Sequence, residues 1–430
     1  MLRALAHKNY RLFFSGQSIS LIGTWMTRVA TSWLVYRLTG SALLLGVVGF
    51  AGQIPSFVLA PFAGVLVDRW NRQRLLVITQ VLALLQSLAM ALLTMTGLIK
   101  MWHIIALSVF QGLINAFDMP ARQAFVVEMV DSREDLANAI ALNSSMVNAA
   151  RLIGPSLGGV VIAAVGEGWC FMIDSISYLA VIASLLAMTL TSRLWLPGND
   201  ANIFQQLREG WTYVTRFAPI RDILLLVGLV SLVGMPYTVL MPVFANEVLH
   251  GGPNTLGLLM AASGVGALVG AMFLAARKSV LGLGKYIPLT AGAFGAGLIL
   301  FSFTRVLWLS LVFMVLTGLG FMVQMAVSNT ILQTIVDEDK RGRVMSFYTM
   351  AFMGTAPFGS LLAGSVAERI GTPHTLLFGG IGCLVGAAWF ARSLSALRRD
   401  VRPIYVQKGI LPEVAKGIQQ STELSIPPES

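Results

Sequence analysis

The chain has 430 residues, of which 56% are apolar and only 12% charged, and its mean hydropathy is +0.75. Soluble domains carry about 25% charged residues, so this composition excludes a water-soluble protein. The net charge of +10 does not indicate nucleic-acid binding, because the basic residues lie mostly in loops and form no stripe interleaved with aromatic residues. The two cysteines, Cys170 and Cys383, lie in apolar runs without metal-ligand spacing.

Apolar runs of about 20 residues or more, long enough to cross a bilayer, recur along the chain. They predict helices at 12–38, 43–67, 74–98, 102–124, 136–165, 168–194, 221–249, 253–277, 284–304, 306–331, 344–370 and 373–395. Residues 1–10 contain no cleavable signal peptide, so we expect the first helix to direct insertion. An amphipathic segment at 203–216 is expected to lie on the membrane surface.

The predicted fold is therefore an all-α integral membrane protein with twelve transmembrane helices in two pseudo-symmetric halves of six. The halves are 1–190 and 223–396, joined by a cytoplasmic linker at 191–222 and followed by a cytoplasmic tail at 397–430. An internal repeat supports this division: Gly112 and Gly318, and Asp131 and Asp337, are each separated by 206 positions.

The distribution of basic residues predicts the orientation. Most of the 30 lysines and arginines lie in the termini and in the loops on the same side as the termini. The opposite side carries only four, which are Arg37, Lys100, Arg305 and Arg369. Because cytoplasmic loops are rich in Lys and Arg, both termini are predicted to be cytoplasmic.

The loop between the second and third helices reads Gly64-Val-Leu-Val-Asp68-Arg69-Trp-Asn-Arg72. This segment resembles the loop signature of the major facilitator superfamily, whose fold consists of two parallel six-helix repeats. The resemblance implies that Gly64, Asp68, Arg69 and Arg72 form a conformational latch between the halves, with Glu128 as the acidic partner. Ordinary positive-inside charges would explain the arginines, but not Gly64 or Asp68.

The fourth helix has the Gln111-Gly112 pair of a second family signature, but Ser108 stands where the family has an arginine. This departure puts in doubt the proton-transfer role that the family places there. Asp118 and Arg122 are spaced to form a local ion pair instead.

The fifth helix carries Gly154, Pro155, Gly158 and Gly159, which resemble the antiporter signature of the same superfamily. Proline kinks a helix and glycine allows bending, so these residues are predicted to form a gating hinge. A purely packing role is the alternative, because Gly and Pro are common in membrane helices.

Three charged residues fall inside predicted spans: Arg28, Arg151 and Asp174. A charge inside a membrane is unfavourable unless it faces a cavity or a partner. We therefore predict that these residues line a substrate and proton pathway, in which the arginines bind an anionic substrate and the carboxylate exchanges a proton. The alternative is a buried Arg–Asp pair that only holds helices together.

Several motifs together resemble the branch of the superfamily that contains the enterobactin exporter and bacterial macrolide efflux proteins. They include Leu38-Thr39-Gly40-Ser41 and Pro120-Ala-Arg122-Gln. The resemblance implies a secondary transporter in the bacterial inner (plasma) membrane that exports a siderophore, drug or similar metabolite by proton antiport with alternating access. Lipid flipping, for example of lysophospholipids, and a non-transporting scaffold or sensor are the alternatives.

The expected partners are a small-molecule substrate, protons and the lipid bilayer. We expect a monomer that is not an enzyme, has no catalytic residues, and uses no cofactor, metal or nucleic acid. No phosphate-binding loop accompanies Gly284-Lys285, so the sequence indicates no nucleotide-driven step.

Overall fold

The computed structural model describes residues 3–130, 133–188, 203–277, 280–338 and 340–408. The first half consists of six long helices, preceded by a 3-10 turn at Arg3–Ala6 and with a second such turn, Val127–Met129, after the fourth helix. The long helices are α1 (Lys8–Thr39), α2 (Ala42–Arg69), α3 (Arg72–Met95), α4 (Met101–Val126), α5 (Arg133–Val165) and α6 (Glu167–Leu186).

The second half is preceded by the short helix α7 (Ile203–Arg216), which coincides with the predicted amphipathic segment. Its first crossing consists of α8 (Ala218–Leu229) and α9 (Tyr237–Val243), with π-helical turns at Val230–Gly234 and Phe244–Val248. The next three crossings are α10 (Pro253–Ala275), α11 (Tyr286–Phe303, after a 3-10 turn at Leu283–Lys285) and α12 (Leu307–Ile335). The fifth joins α13 (Arg341–Thr349) to α14 (Ala356–Ile370) through a π-helical turn at Met350–Gly354, and the sixth is α15 (Thr372–Gln407).

Eleven stretches of the described chain are long and apolar enough to cross a membrane. They comprise every crossing above except α1, which has 32 residues but is more polar. Because α1 packs along α5 and α6 within the first half, it is the twelfth crossing. The prediction of twelve helices in two six-helix halves is confirmed.

Two of the π-helical turns lie just before prolines. A proline has no N–H for the carbonyl four residues earlier, and its ring clashes with that carbonyl. The carbonyls concerned are those of Leu232, before Pro236, and Met353, before Pro357, and each lies inside a π-helical turn. The interruption at Val230–Gly234 was not predicted, because the sequence indicated a single continuous helix at 221–249. The one at Met350–Gly354 lies where Gly354, Pro357, Gly359 and Gly364 loosely repeat the glycine and proline pattern of the fifth helix.

The last helix is longer than predicted, because α15 continues to Gln407 rather than ending at 395. Its final turns bury Leu397 and Val401 against the core, and this apolar stripe keeps the polar segment helical. The start of the predicted tail is therefore helical, and residues 409–430 lie outside the described residues.

The two halves meet along two seams. We use "far end" for the end of the bundle opposite the chain termini, and "terminal end" for the other. At the far end of the first seam, α2 meets α14: a Cβ built on Gly364 would lie 2.6 Å from the carbonyl oxygen of Ala42. In the second seam α5 meets α10, where a Cβ on Gly257 would lie 2.7 Å from the carbonyl oxygen of Pro155.

Both seams continue towards the middle of the bundle. In the first, Phe57 of α2 contacts Gly354. In the second, Leu152 of α5 contacts Gly264 of α10. The contacts between the halves that the structure describes therefore run from the far end to about mid-depth.

Candidate functional site

The centre of the bundle contains two arginines around one tryptophan. The guanidinium carbon of Arg28 lies 4.6 Å from the ring centre of Trp25, and that of Arg151 lies 5.7 Å from the same ring. Arg151 also lies 5.9 Å from the ring of Phe321 on α12, in the other half. These four residues, which we call the arginine cluster, connect the halves at mid-depth.

Close packing of α1 on α5 positions the cluster. A Cβ built on Gly154 would lie 2.4 Å from Cβ of Trp25 and 2.9 Å from the carbonyl oxygen of Ile22. Only glycine lets the two backbones approach this closely. Since Arg151 precedes Gly154 by about one helical turn, its side chain leaves α5 on the side where Trp25 lies.

Both arginines retain binding capacity. Arg28 is exposed although it lies near the middle of α1, and Arg151 is partly exposed. Within the described residues, neither guanidinium makes a hydrogen bond or ion pair with a carboxylate. Stacking on an aromatic ring involves the face and the positive charge of a guanidinium. The five N–H donors of the guanidinium lie in its plane and can still bind an oxyanion in bidentate geometry.

Asp174, the third predicted pathway residue, is not part of this cluster. Its side chain is 2% exposed, and its Oδ2 accepts hydrogen bonds from the hydroxyls of Thr27 on α1, at 3.0 Å, and Ser87 on α3, at 3.2 Å. Its Oδ1 has no partner in the described residues. No Arg–Asp pair involving Asp174 occurs among the described residues. Asp174 instead joins α1, α3 and α6 through hydroxyl groups.

Asp174 and Arg28 are nevertheless linked through α1. Thr27, which holds the carboxylate, is the residue next to Arg28 in the chain. A Cβ on Gly23 would lie 2.7 Å from Oδ1 of Asp174, so this face of α1 packs directly on the carboxylate. A movement of α1 along α6 would consequently change the surroundings of Asp174 and the position of Arg28 together.

The predicted latch is only partly described. Arg72 Nη1 and Glu128 Oε1 lie 2.6 Å apart, so this ion pair connects the start of α3 to the turn after α4 within the first half. Gly64 lies on α2, but its surroundings and the side chains of Asp68 and Arg69 lie outside what the structure describes. A latch function stays a prediction.

The glycines of the predicted hinge lie in close helix contacts. Gly158 packs on Met26 of α1, and Gly159 packs on Gly257 of α10 and on the carbonyl oxygen of Pro253. Helix α5 continues through Pro155 from Arg133 to Val165. These contacts agree with the packing interpretation, and bending at Gly154 and Pro155 stays a prediction.

Sequence reasoning missed three features of this region. Neither Trp25 nor Phe321 was identified as a site residue, although Trp25 lies three residues before Arg28, within reach on one helix face. The predicted Asp118–Arg122 ion pair is confirmed. Asp118 also accepts hydrogen bonds from Thr79, at 2.8 Å, and Gln80, at 2.7 Å, which no local pattern indicated.

A third missed feature is the far-end contact between Glu368 on α14 and the start of α2, at Ser41 and Leu43.

The described residues contain no group of three or more His, Cys, Asp or Glu that could hold a metal ion.

Comparison with known proteins extends these observations. A family model described as transmembrane secretion effector matches residues 1–404. The chain is 27% identical over 377 residues to the staphyloferrin A transporter of Staphylococcus aureus, covering 87% of this chain and 93% of the relative. It is 24% identical over 391 residues to macrolide efflux protein A of Streptococcus pyogenes, covering 87% and 94%.

A solved structure gives a match of fold alone. It is a bacterial homologue of the human lysosomal transporter Spinster, in an inward-facing and unoccupied conformation. The TM-score is 0.69 at 12% identity, over 91% of this chain and 98% of that chain.

Proposed function

Because the chain belongs to the transmembrane secretion effector family of major facilitator transporters, we propose that it exports a small molecule from the bacterial cytoplasm by proton antiport with alternating access. The observation that carries this proposal is the arginine cluster. Two guanidinium groups without a carboxylate partner lie at mid-depth, between the halves, where a transported molecule would have to bind. The names of the relatives support a siderophore or a drug as the substrate.

Alternating access requires that a central site open to one side at a time. The seams between the halves support this mechanism, because their described contacts run from the far end to mid-depth. With both termini in the cytoplasm, as the basic loops predict, the far end faces outwards. The conformation is then closed to the outside, with the arginine cluster at the inner limit of the closed part.

Proton coupling is assigned to Asp174. This carboxylate is buried, has no cationic partner in the described residues, and touches three helices of one half. Its hydrogen bond to Thr27 connects it to the helix that carries Arg28. Protonation of Asp174 would weaken that contact with α1 and so alter the position of the arginine that receives the substrate.

The test is export by single variants in a strain that lacks this transporter, across a panel of drugs and siderophores, with accumulation measured directly and surface expression controlled. We expect Arg28→Gln and Arg151→Gln to reduce export at least about tenfold, because each loses a charge-assisted contact. Asp174→Asn should lose the dependence on an imposed pH gradient. The matched control is Arg369→Gln, an exposed arginine at the far end.

Purified protein in vesicles separates the remaining possibilities. Flux of a small molecule driven by a pH gradient supports export. Lipid movement between leaflets without such flux would instead indicate a flippase, and the absence of both would indicate a scaffold or sensor. Normal transport by all three variants would remove the proposed site.

A further inference from the structure

We infer that the arginine cluster is a binding site for a soluble small molecule that carries two or more carboxylate or similar oxyanion groups, which bridges Arg28 and Arg151. This inference rests on the proposed function and names the chemical class of its substrate. It follows from the charge, the geometry and the accessibility of the cluster.

The charge of the cluster requires an anion. Two like charges near one ring repel each other, and a membrane interior screens this repulsion poorly. Neither Asp174 nor Asp118 pairs with Arg28 or Arg151 in the described residues: Asp174 accepts from Thr27 and Ser87, and Asp118 accepts from Thr79, Gln80 and Arg122. A cationic or neutral molecule would leave the repulsion in place, whereas a bound anion removes it.

The geometry favours more than one anionic group. Both guanidiniums are held on aromatic rings, Arg28 on Trp25 and Arg151 between Trp25 and Phe321. The rings therefore hold the arginines in place. A carboxylate that pairs in bidentate geometry with one guanidinium uses both of its oxygens there and leaves the second guanidinium without an equivalent partner. A molecule with separated carboxylates can pair with each guanidinium in its own bidentate geometry.

The surroundings favour a soluble ligand over a lipid with the same headgroup chemistry. A lipid would enter between the halves with its acyl chain in a seam. In the far half of the bundle the seams are closed by backbone contacts, Gly46 with Gly364 and Gly159 with Gly257. The apolar groove beside Val160 and Leu258 lies along the second of these seams. The close backbone contact between Gly159 and Gly257 beside this groove argues against entry of an acyl chain through this seam.

Binding at this site would also change a contact between the two halves. Arg151 is on α5, but its guanidinium lies over Phe321 of the opposite half. A carboxylate that draws Arg151 towards Arg28 would change the contact with Phe321. Substrate binding and the relative position of the halves would therefore be coupled through one side chain.

The test is direct binding to the full-length protein in nanodiscs of uncharged lipid, measured by calorimetry. The probe is propane-1,2,3-tricarboxylate, compared with butyrate, which has one carboxylate, and with the trimethyl ester, which has none. We expect the tricarboxylate to bind at least tenfold more tightly than butyrate, the ester not to bind, and the affinity to fall as salt is raised.

Variants locate the site. Arg28→Gln and Arg151→Gln should each weaken tricarboxylate binding at least tenfold. Lysine at either position keeps the charge but lacks the bidentate guanidinium, so the lysine variants should bind the tricarboxylate with intermediate affinity. Arg369→Gln should bind as the parent protein does. The lysine variants also keep the test valid if a glutamine variant does not fold, which size-exclusion chromatography will show.

Three results would overturn the inference: no binding of the tricarboxylate, equal binding of butyrate, or binding of lysophosphatidylglycerol with none of the tricarboxylate. The result is separate from that for export. Tricarboxylate binding without flux of any molecule would remove the export function and retain the anion site. Flux of cationic drugs without tricarboxylate binding would remove the anion site and retain the export function.

Discussion

Glu368 on α14 accepts a hydrogen bond of 3.1 Å from the hydroxyl of Ser41, the residue that caps the start of α2 in the other half. The same carboxylate accepts from the backbone N–H of Leu43, also at 3.1 Å, while Ser41 accepts from the N–H of Leu44. The first N–H groups of a helix have no partner within it and favour negative charge. The first turn of α2 is therefore capped jointly by both halves, and this cap exists only while the far end is closed.

Removing the charge at position 368 should favour opening of the far end. Glu368→Gln keeps the size of the side chain but makes its contacts with Ser41 and Leu43 neutral, a loss of about 1 kcal/mol, or about fivefold in the ratio of closed to open forms. Spin labels on cysteines at positions 38 and 370, both exposed at the far end, would report a longer distance. Glu338→Gln, at the terminal end, is the control. Unchanged distance distributions would refute the role of this cap.

The glycine contact beneath this cap should be more sensitive. In Gly364→Ala the new methyl group would meet the Ala42 carbonyl and the Cα of Gly46, both backbone atoms that cannot move aside separately from α2. We expect the same pair of labels, on α1 and α14, to report a longer distance between the halves at the far end, together with reduced transport. Gly342→Ala has open space around its Cβ and should behave as the parent protein. A Gly364→Ala protein with normal distances would show that the seam is looser than described.

Asp174 should depend on its hydroxyl donors for stability. Thr27→Val removes one of two hydrogen bonds to a buried carboxylate, and such a loss costs about 1–3 kcal/mol. A lower melting temperature in detergent is the expected result, and Ser87→Ala should have a similar effect. Thr330→Val is a matched control, since that hydroxyl bonds to the carbonyl of Ala326 in its own helix. Equal melting temperatures for Thr27→Val and Thr330→Val would contradict the assignment.

The surface helix α7 should respond to acid through Asp337. Asp337 accepts from Tyr213 of α7 at 3.3 Å and from Lys340 at 3.1 Å. The hydrogen bond from Lys340 lowers the pKa of the Asp337 carboxyl below its ordinary value, and burial raises the pKa of Tyr213. A lowered pKa means that the interaction is present above the ordinary value of about 4 and is lost as the pH falls through the folded value.

A spin label at the exposed position 208 of α7 would follow this change. We expect its mobility to stay constant from about pH 5 to 8 and to rise below about pH 4. Asp337→Asn should show the higher mobility already at neutral pH, whereas the neighbouring Glu338→Gln should not. A label equally mobile in the parent protein and in Asp337→Asn would exclude docking of α7 through this carboxylate.

The membrane spans, and the presence of Arg28 and Arg151 inside them, could be predicted from the sequence because both depend only on the local run of residues. A run of about 20 apolar residues must cross the bilayer wherever its neighbours lie, and a charge inside such a run must face a cavity or a partner. The halves, the crossings, the amphipathic α7 and the Asp118–Arg122 pair were predictable for this reason. So was the membership of the superfamily, which the motifs indicated and the matching relatives confirm.

Tertiary structure decided which polar groups meet. Asp174 accepts hydrogen bonds from Thr27 and Ser87 rather than pairing with an arginine, because the packing of α6 on α1 and α3 places these two hydroxyls next to its carboxylate. Phe321 and Arg151 are 170 positions apart, and Glu368 and Ser41 are 327 apart, so no local pattern relates them. The sequence alone determines which segments enter the membrane. The relative placement of two long helices depends on glycine contacts along their whole length, and only the folded bundle specifies it.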